Sequence, residues 1–341
     1  MKVLMVVPNR MVMGGIASVV NGYRDQGIKD ADIIFVESYI DGSKIAKLIK
    51  AFKGYIEYRK VLHKEKVDLV HIHSSFGPSF YRKRPFISYA FKKRIPIVNH
   101  IHGAEFDKFY LDASDSKKRK IKSCYLKCDK LIALSDEWRG RLSLIVPEDR
   151  ISVISNYTNI PDIEVNNSNN ILFLGEIGRR KGCFDIPKIL DQVKDIEYSM
   201  VMAGNGEEAT REIRTMVDDR VSFPGWVRGE EKDKLLRNAG IFLFPSYNEG
   251  VPMAVLEAMG YGLSVVTTNV GGIPTVISNE ENGFLVNPGD IEGFSNVLRK
   301  LLQDAELRNE IGRKAREHVM NNYSYSSHCE KIYELYLSIV K

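Results

Sequence analysis

The order of apolar and polar positions along the chain predicts two rounds of alternating strands and helices. Short apolar runs recur, and several of them end in a Gly, Ser or His loop before a helical stretch begins. Runs of this kind are typical of strands buried on both faces, and their alternation with helices favours a parallel sheet with helices on both sides. The strands predicted in the first round are residues 2–7, 33–36, 69–73, 95–99, 130–133 and 151–154.

A polar stretch separates the first round from the second. Residues 161–170 are rich in Asn and have little to bury, so we interpret them as an interdomain linker. We therefore expect one domain over residues 1–160, a second over 171–316, and a helix over 317–341 that contains several tyrosines. The strands predicted in the second round are residues 171–174, 198–203, 221–223, 241–244, 264–267 and 284–286.

Length and composition agree with two globular domains. The chain has 341 residues, of which 44% are hydrophobic, enough for a core in each domain. The first apolar run is cut short by Pro8, which is too early for a signal peptide, and no run approaches the roughly 18 apolar residues of a membrane span. The four cysteines show no metal-ligand spacing, so we expect reduced thiols and a cytoplasmic protein.

The net charge of +5 conceals a strong asymmetry between the two halves. Residues 1–160 contain 29 Lys and Arg against 17 Asp and Glu, a net charge of +12, whereas the remainder contains 20 against 27, a net charge of −7. The basic half includes the runs at residues 82–84, 92–94 and 117–120. This half is expected to meet an anionic partner, and nucleic acid is disfavoured because no recognised binding motif accompanies the charge.

One segment of the basic half, residues 44–62, interleaves cations with apolar residues at helical spacing, as in an amphipathic helix. Two interpretations stay open. The apolar side packs on the protein's own sheet, or the helix faces an anionic lipid surface or a phosphate-bearing acceptor. The residues concerned are Lys44, Lys47, Lys50, Lys53 and Arg59, with Ile45, Leu48, Ile49, Phe52, Ile56 and Leu62 between them.

Candidate chemistry is concentrated around two glutamates, Glu249 and Glu257. They follow the predicted strand at 241–244, with Glu249 in a turn and Glu257 in the helix expected over 253–259. Eight residues rotate a helix by roughly 800°, so we expect both carboxylates on one face, near a helix N-terminus that attracts anions. A helix cap and a solvated side chain would explain the bare pair, but a ligand with hydroxyls at both ends and phosphate between them, such as a nucleotide-sugar, would also fit.

The residues around this pair carry a family resemblance. The string Glu249-Gly-x-Pro-x-x-x-x-Glu-Ala, then Gly262, Gly271-Gly-Ile-Pro and Asn282-Gly-Phe-Leu-Val, resembles the retaining glycosyltransferases of family 4. The resemblance implies the GT-B fold, in which two Rossmann-like domains face across a cleft and a C-terminal helix returns to the N-terminal domain. It implies transfer of a sugar from a nucleoside diphosphate sugar, UDP-sugar by default, to a hydroxyl of a glycan or lipid-linked acceptor in the synthesis of bacterial surface polysaccharides such as capsule or lipopolysaccharide.

The resemblance also implies roles in the second domain. Glu249 would bind the sugar hydroxyls and Glu257 the ribose. The residues that would line the base through their backbone are Trp226 and Val227. The backbone at the helix start would meet the sugar or phosphates, at Gly250, Val251, Pro252 and Met253.

Basic residues follow the first strand of the second domain, where Lys181-Gly182 matches the family's Lys-Gly. Cations in a strand-to-helix loop suit a diphosphate that gains negative charge as the sugar leaves. The family usually has Arg after the first glycine of this loop, but this chain has Glu176. We expect Lys181 to be the main cation and either Arg179 or Arg180 to supply the missing one.

In the first domain the resemblance implies that Gly14 and Gly15 approach the donor phosphates. His102, which precedes a glycine, would hydrogen-bond the transferred sugar. A histidine at a strand end more often has a structural role, which is the interpretation favoured for His71 and His73. The catalytic set expected from the resemblance is therefore Glu249, His102 and Lys181.

No metal or other cofactor is expected, and the lack of a clear Asp-x-Asp motif agrees weakly with that. The predicted enzyme is cytoplasmic, with a peripheral position at the inner face of the plasma membrane as an option. Two rivals are a sugar-nucleotide epimerase of the same fold, which the Glu-Gly-x-Pro-x4-Glu pattern disfavours, and a degenerate scaffold that binds nucleotide-sugars, which only Glu176 favours.

Overall fold

The computed structural model describes residues 1–103, 106–163, 165 and 168–340. The chain divides into two compact units, one formed by Met1–Asn156 with the segment from Tyr325, the other by Tyr157–Ser324. Part of the linker expected at 161–170, namely residues 164, 166 and 167, lies outside the described residues. Each unit is built around one six-stranded sheet.

The first unit has its strands in the order β2-β1-β3-β4-β5-β6, all parallel. The strands are β1 Lys2–Pro8, β2 Asp32–Tyr39, β3 Leu69–Ser74, β4 Ile97–Ile101, β5 Lys130–Ala133 and β6 Ile151–Val153. The helices are α1 Gly15–Gln26, α2 Lys44–Lys64, α3 Pro78–Lys92, α4 Asp115–Tyr125, α5 Asp136–Leu142 and, from the end of the chain, α12 Tyr325–Ile339.

Strand order places the helices of this unit on two faces. The chain passes from β1 outward to β2 and then crosses back to β3, and right-handed crossovers put α1 on one face and α2 to α5 on the other. The helix α12 joins α1, because the ring of His328 in α12 stacks on Tyr23 of α1 at 5.7 Å between centroids. Both faces are therefore covered, which explains why β3 and β4 are buried along their whole length.

The second unit has the strand order β12-β11-β10-β7-β8-β9, again all parallel. The strands are β7 Asn170–Leu174, β8 Ser199–Ala203, β9 Val221–Gly225, β10 Ile241–Phe244, β11 Ser264–Thr268 and β12 Phe284–Val286. The helices are α6 Ile186–Asp191, α7 Glu207–Arg214, α8 Glu230–Asn238, α9 Met253–Gly260, α10 Ile291–Gln303 and α11 Ala305–Asn322, with 3-10 turns at Arg179–Lys181 and Ile273–Thr275.

The predicted strands are confirmed in both units, with ends that differ by at most three residues. The strand β4 begins at Ile97 rather than at the expected residue 95. Pro96 has no backbone N–H to donate to a sheet, so the strand begins after it. The expected architecture of parallel sheets with helices is likewise confirmed.

The C-terminal segment differs from the single helix expected over 317–341. The helix α11 ends at Asn322 and belongs to the second unit, and only α12, from Tyr325, belongs to the first. Between them Tyr323 leaves the helical conformation, with φ −129° and ψ 24°, and its carbonyl accepts a hydrogen bond of 2.8 Å from the N–H of Thr158. The apolar periodicity of the sequence continues across this short break, so the sequence predicted one helix where the structure has two.

The helix α2 packs on its own unit through the side that carries Gly54, Tyr58 and Leu62, which are buried. Leu62 is the one apolar residue named for this helix from the sequence that lies on the packed side. A side chain at Gly54 would place Cβ 2.2 Å from the carbonyl oxygen of Glu37, so the missing side chain lets α2 lie close to β2. The apolar stripe itself faces solvent, with exposed fractions from 39% to 71% at Ile45, Leu48, Ile49, Phe52 and Ile56.

Within the part of the chain that the structure describes, every helix falls short of the length and apolarity needed to cross a bilayer.

Candidate active site

The second unit brings two loops together where its strand order reverses. The strands β7 and β10 are neighbours, but the chain proceeds from β7 to one side of the sheet and from β10 to the other. Because the two connections leave in opposite directions, a crevice for a ligand forms at the carboxyl ends of two such strands. The loop at 175–182 follows β7 and the loop at 245–252 follows β10, so most of the second unit's predicted residues meet here.

The centre of this site is an ion pair between Lys181 and Glu249. The Nζ atom of Lys181 lies 2.5 Å from Oε1 of Glu249, and the two side chains are only 13% and 7% exposed. The hydroxyl of Ser246 donates to the same Oε1 at 2.6 Å. The Lys181 ammonium also lies 4.8 Å from the centroid of the Phe244 ring. A charged pair at this depth is stabilised by its added hydrogen bond and by the cation–π contact.

Backbone contacts fasten the two loops to each other. The N–H of Tyr247 donates to the carbonyl of Arg180 at 2.9 Å, and the Ser246 hydroxyl lies 3.2 Å from the same carbonyl. From β11, the hydroxyl of Thr268 donates to the carbonyl of Ser246 at 2.6 Å. The two loops that carry Lys181 and Glu249 are therefore fixed to each other and to β11, which holds the two side chains in a defined geometry.

Two glycines make this approach possible. Gly182 has φ +70°, and a Cβ there would lie 1.9 Å from the carbonyl oxygen of Pro245. Gly271 has φ +58°, and a Cβ there would lie 1.8 Å from the carbonyl oxygen of Glu249. Both the conformation and the space demand glycine. The Gly271-Gly motif thus supports the loop that carries Glu249.

The structure also places the arginines of the first loop. Arg180 lies 3.1 Å from the carboxylate of Glu176 and 3.9 Å from that of Glu249. Arg179 points elsewhere, because its guanidinium lies 4.3 Å from the centroid of the Phe184 ring and its side chain is 78% exposed. Glu176, which departs from the family pattern, is thus the ion-pair partner of the arginine that lies beside the central pair.

Glu257 lies in α9, where its Oε1 accepts from Nζ of Lys232 at 2.8 Å. The helix begins at Met253, four residues after Glu249, so helical rotation does not relate the two glutamates. The expectation that they share a helix face was wrong for this reason: Glu249 is held by the loop and not by the helix. The N-cap of α9 is Pro252, which offers no side-chain hydrogen bond, and the first turn carries no acidic residue.

The other candidates of the second unit lie in two places, the end of β9 and the loop that follows Glu249. Trp226 and Val227 follow β9, which is separated from β7 by β8. Val227 is buried at 6% exposure, whereas Trp226 is 42% exposed. Gly250 lies beside the Gly271-Gly272 turn, since its carbonyl accepts a hydrogen bond of 2.7 Å from the N–H of Gly272.

In the first unit, Gly14 and Gly15 lie where β1 meets α1. Gly14 is the N-cap with φ +120°, and α1 begins at Gly15 with neither a side-chain cap nor an acidic residue in its first turn. This unit also reverses its strand order between β1 and β3. Uncapped N–H groups at the start of a helix are suited to an anion.

His102 follows β4 and is half-buried. Its Nε2 lies 2.9 Å from Nδ1 of His73, so one ring donates and the other accepts. Its ring stacks on that of His100 with centroids 4.1 Å apart. The next residue must be glycine, because a Cβ at Gly103 would lie 2.7 Å from the ring of Phe76.

His102 is the outermost member of a histidine stack that also contains His71, His73, His100 and His328. Burial lowers the pKa of His71 to about 3 and that of His328 to about 4. Burial also lowers the pKa values of His73 and His100 well below the ordinary histidine value. Charging an imidazole inside the unit is costly, so these rings are neutral at pH 7.

The stack ties the C-terminal helix to the first unit. Nδ1 of His328 donates to the carbonyl of Ser155 at 2.8 Å, so its Nε2 accepts from the hydroxyl of Tyr23 at 2.5 Å. The hydroxyl of Tyr336 lies 2.5 Å from Nδ1 of His71. These contacts could not be predicted from the sequence, because as many as 305 residues separate the partners.

The stack also meets the donor requirement of a metal site, since nitrogens of His71, His73 and His100 lie within 4.8 Å of one another. The rings of His71 and His73 are stacked, however, with 4.4 Å between centroids and 22° between planes. Lone pairs of stacked imidazoles lie in separate, nearly parallel planes and do not converge on one point. In this arrangement the three rings pack against each other and do not form a tetrahedral ligand set.

Two residues beside the glutamates were missed from the sequence. Lys232 pairs with Glu257 and had no motif to mark it. Ser246 had one, since Ser246-Tyr-Asn-Glu249 has the Ser-x-x-Glu spacing of a capping box. Here the serine hydroxyl donates to the glutamate directly.

Comparison with known proteins identifies the class. The sequence profile "Glycosyl transferases group 1" matches residues 158–318, and the profile "Glycosyltransferase Family 4" matches residues 23–160. The chain is a glycosyltransferase. The two matched ranges adjoin and together cover residues 23–318, so the chain belongs to glycosyltransferase family 4, as its motifs suggested.

Relatives and solved structures agree with this class. A UDP-Gal:alpha-D-GlcNAc-diphosphoundecaprenol alpha-1,3-galactosyltransferase from Escherichia coli is 26% identical over 86% of this chain and 81% of its own. An N-acetyl-alpha-D-glucosaminyl L-malate synthase from Bacillus anthracis is 25% identical over 82% and 76%. HepE of Anabaena, solved with UDP and glucose, superposes with a TM-score of 0.78 at 15% identity, covering 99% of this chain and 100% of that one. This likeness confirms the GT-B fold.

Proposed function

We propose that this glycosyltransferase moves a hexose from a UDP-sugar to a hydroxyl of a lipid-linked or glycan acceptor, in the synthesis of a bacterial surface polysaccharide. The Escherichia coli relative supports this, since its name specifies UDP-galactose and a diphosphoundecaprenol-linked acceptor. The HepE complex with UDP and glucose supports the nucleotide. The observation that carries the proposal is the Lys181–Glu249 pair at the strand reversal of the second unit.

Lys181 is proposed to stabilise the leaving diphosphate. An ammonium has three hydrogen-bond donors, and Glu249 takes one of them, so the others are left for phosphate oxygens. Arg180, 3.9 Å from the Glu249 carboxylate, is the second cation close enough to share this task. Fixed cations that meet developing negative charge lower the barrier without reorganising.

Glu249 is proposed to accept hydrogen bonds from hydroxyls of the transferred sugar. Lys181 and Ser246 both bind Oε1, which leaves Oε2 for the ligand. Glu257 is proposed to accept from the ribose hydroxyls through the oxygen that Lys232 does not bind. The backbone between Gly250 and Met253 would meet the sugar or the phosphates.

The other assignments follow from the resemblance. Gly14 and Gly15 are proposed to approach the donor phosphates, and His102 to hydrogen-bond the sugar. Trp226 and Val227 would line the base. We expect retention of configuration without a covalent nucleophile or a metal, with the leaving phosphate accepting the proton of the acceptor hydroxyl.

We further propose that the enzyme binds peripherally to the anionic inner face of the plasma membrane through α2. The exposed apolar residues lie at helical spacing on one stripe, including Leu48 and Phe52. Lys44 and Lys53 are exposed beside them. An apolar stripe flanked by lysines is the pattern of helices that lie in the headgroup region of an anionic bilayer.

Incubation with labelled UDP-, GDP- and ADP-sugars, with and without a lipid-diphosphate acceptor, tests the activity. We expect acceptor-dependent transfer from a UDP-sugar and slow donor hydrolysis without acceptor. Conversion of the donor to another sugar would identify an epimerase, and binding without turnover would identify a scaffold. Either outcome would overturn the proposal.

A further inference from the structure

A cavity of about 280 Å³ lies between α3 and α4 in the first unit. Four cations line it, namely Arg84, Arg119, Lys120 and Lys127, together with three serines and Cys124. No carboxylate is among the lining residues. Three of the four cations come from the basic runs 82–84 and 117–120, to which the family resemblance assigns no role, and the cavity belongs to the unit opposite in charge to the one that carries Lys181 and Glu249.

Helical spacing explains why these side chains converge. On α4 and just beyond it, Ser116, Arg119, Ser123 and Lys127 recur at intervals of three or four residues, so they share one side of the helix. Arg84 and Ser88 share a side of α3 in the same way, and the ammonium of Lys127 lies 3.2 Å from the Ser88 hydroxyl. The sides that α3 and α4 present to the cavity are therefore cationic and hydroxylic.

Among the described residues, the cations of this cavity have no acidic partner. In the ranges that the structure describes, no ion pair involves any of these four residues, and every pair in this region involves other side chains. The neighbouring helix α5 behaves differently, since Arg139 pairs with Asp136 and Arg141 with Glu137. Four unneutralised charges around one cavity repel each other, so an anion bound among them would relieve the repulsion.

The lining also fits the shape of a particular anion. Two guanidinium groups offer planar pairs of donors that match phosphate oxygens, and the serines add neutral donors. Burial raises the pKa of the Cys124 thiol, so the thiol is neutral and does not repel an anion. A phosphomonoester or diphosphate offers three or more charged oxygens to such donors, whereas a carboxylate offers two.

We propose that this cavity, the α3–α4 pocket, binds a phosphate group that does not belong to the nucleotide-sugar. The group is a phosphomonoester, phosphodiester or diphosphate carried by a membrane lipid or by the acceptor. Its connection to the acceptor rests on the proposed function, but phosphate binding as such does not. The pocket shares its face of the sheet with α2, since Tyr89 of α3 meets Tyr55 of α2 at 6.3 Å between ring centroids.

The test compares Arg119→Glu with Lys122→Glu. Both residues are exposed on the same helix and change by the same charge, but Arg119 lines the pocket and Lys122 does not. Inorganic phosphate is titrated while the thermal midpoint is followed, in the wild type, in both variants and in Lys181→Ala. We expect phosphate to stabilise the wild type, Lys122→Glu and Lys181→Ala, and to lose its effect in Arg119→Glu. Arg84→Gln, which removes a charge without reversing it, should weaken phosphate binding several-fold and guards against misfolding of Arg119→Glu.

The opposite pattern would overturn the pocket. If Lys181→Ala abolished the effect of phosphate and Arg119→Glu kept it, phosphate would be binding in the second unit. Sugar transfer is scored separately, so loss of transfer with phosphate binding intact would reject the proposed function and leave the pocket standing.

Vesicles of phosphatidylcholine with and without phosphatidylglycerol then identify the source of the phosphate. A loss of binding in Arg119→Glu that exceeds the loss in Lys122→Glu supports a lipid headgroup. Equal losses, with phosphate stabilisation still specific to the pocket, support a phosphate carried by the acceptor.

Discussion

Nζ of Lys181 and Oε1 of Glu249 are 2.5 Å apart, although 68 residues of sequence separate them. The family resemblance assigns the two residues to different parts of the donor, the diphosphate and the sugar. In the protein they form one unit, in which each charge orients the other and the Ser246 hydroxyl orients the Glu249 carboxylate. Changes at either residue should therefore affect stability as well as catalysis.

Lys181→Met tests the pair directly. It leaves the Glu249 carboxylate buried with the Ser246 hydroxyl and with Arg180 at 3.9 Å, too far for a hydrogen bond, so we expect a loss of about 3 kcal/mol in the free energy of unfolding. We also expect kcat to fall about 100-fold, since a cation that stabilises the leaving group is lost. Urea denaturation and initial rates with a UDP-sugar measure the two effects.

The double variant Lys181→Met with Glu249→Gln should recover most of the stability but none of the activity. Lys194→Met is the matched control, because Lys194 is exposed in an ion pair with Asp191 and should change stability by no more than about 0.5 kcal/mol. An unchanged kcat in Lys181→Met would show that Lys181 does not act on the leaving group.

Gly271→Ala tests the support of the Glu249 loop. The new Cβ would meet the carbonyl oxygen of Glu249 at 1.8 Å, so the loop must shift. Gly229→Ala is the matched control, because Gly229 has the same φ of +58° with no atom within 4 Å of the new Cβ. We expect the control to lose about 1 kcal/mol with normal activity, and Gly271→Ala to lose more stability and nearly all activity. Equal behaviour of the two variants would contradict the support role.

Glu257→Ala tests the proposed ribose contact. A contact made equally in the ground and transition states affects binding only, so we expect the KM for the nucleotide-sugar to rise about tenfold, or about 1.4 kcal/mol, with little change in kcat. Glu317→Ala, which removes a 59% exposed carboxylate of α11 in the same unit, should leave both constants unchanged. A fall in kcat at constant KM would place Glu257 nearer the reacting atoms than the ribose.

The histidine stack predicts acid sensitivity. Its buried members have lower pKa values folded than unfolded, so they take up protons on unfolding, and stability falls as the pH drops below about 6.5 toward 3–4. Each such histidine contributes a slope of about 1.4 kcal/mol per pH unit in that range. Between pH 7 and pH 5, the free energy of unfolding from urea denaturation should fall by more than the titration of one histidine can explain.

His100→Phe provides the comparison for this slope. Both ring nitrogens of His100 are buried without a hydrogen-bond partner among the described residues, so the substitution should cost little at pH 7 and should reduce the slope by about one proton. A slope equal to that of the wild type would show that His100 does not contribute.

Leu48→Glu with Phe52→Glu tests the membrane face of α2. Two carboxylates on the apolar stripe should abolish binding to phosphatidylglycerol vesicles, while transfer to a water-soluble acceptor continues. Leu337→Glu is the control, because Leu337 is 54% exposed on α12 of the same unit but lies outside the stripe. Vesicle binding that salt fails to weaken, or that survives the double change, would argue against this face.

Much of the protein could be predicted because its information is local. Buried parallel strands are apolar along their length, so β3 and β10 are visible as short runs. The start of β4 was placed two residues early, although Pro96 is a local signal that the strand begins after it. The Glu249–Glu257 string and Lys181-Gly182 carry the family because a loop that follows a strand must place its residue types at fixed spacing. The sequence alone therefore determined the two parallel sheets, the family and the principal candidate residues.

Tertiary structure decided which of these residues meet. Lys181 reaches Glu249 only because the order β10-β7 makes two distant loops neighbours and because Gly182 and Gly271 have no side chain to keep them apart. The His71–Tyr336 bond and the outward side of α2 were equally hidden, because periodicity shows that a helix has an apolar side but not what that side faces. Contacts between distant segments depend on strand order and close packing, and neither property is written in any one stretch of the chain.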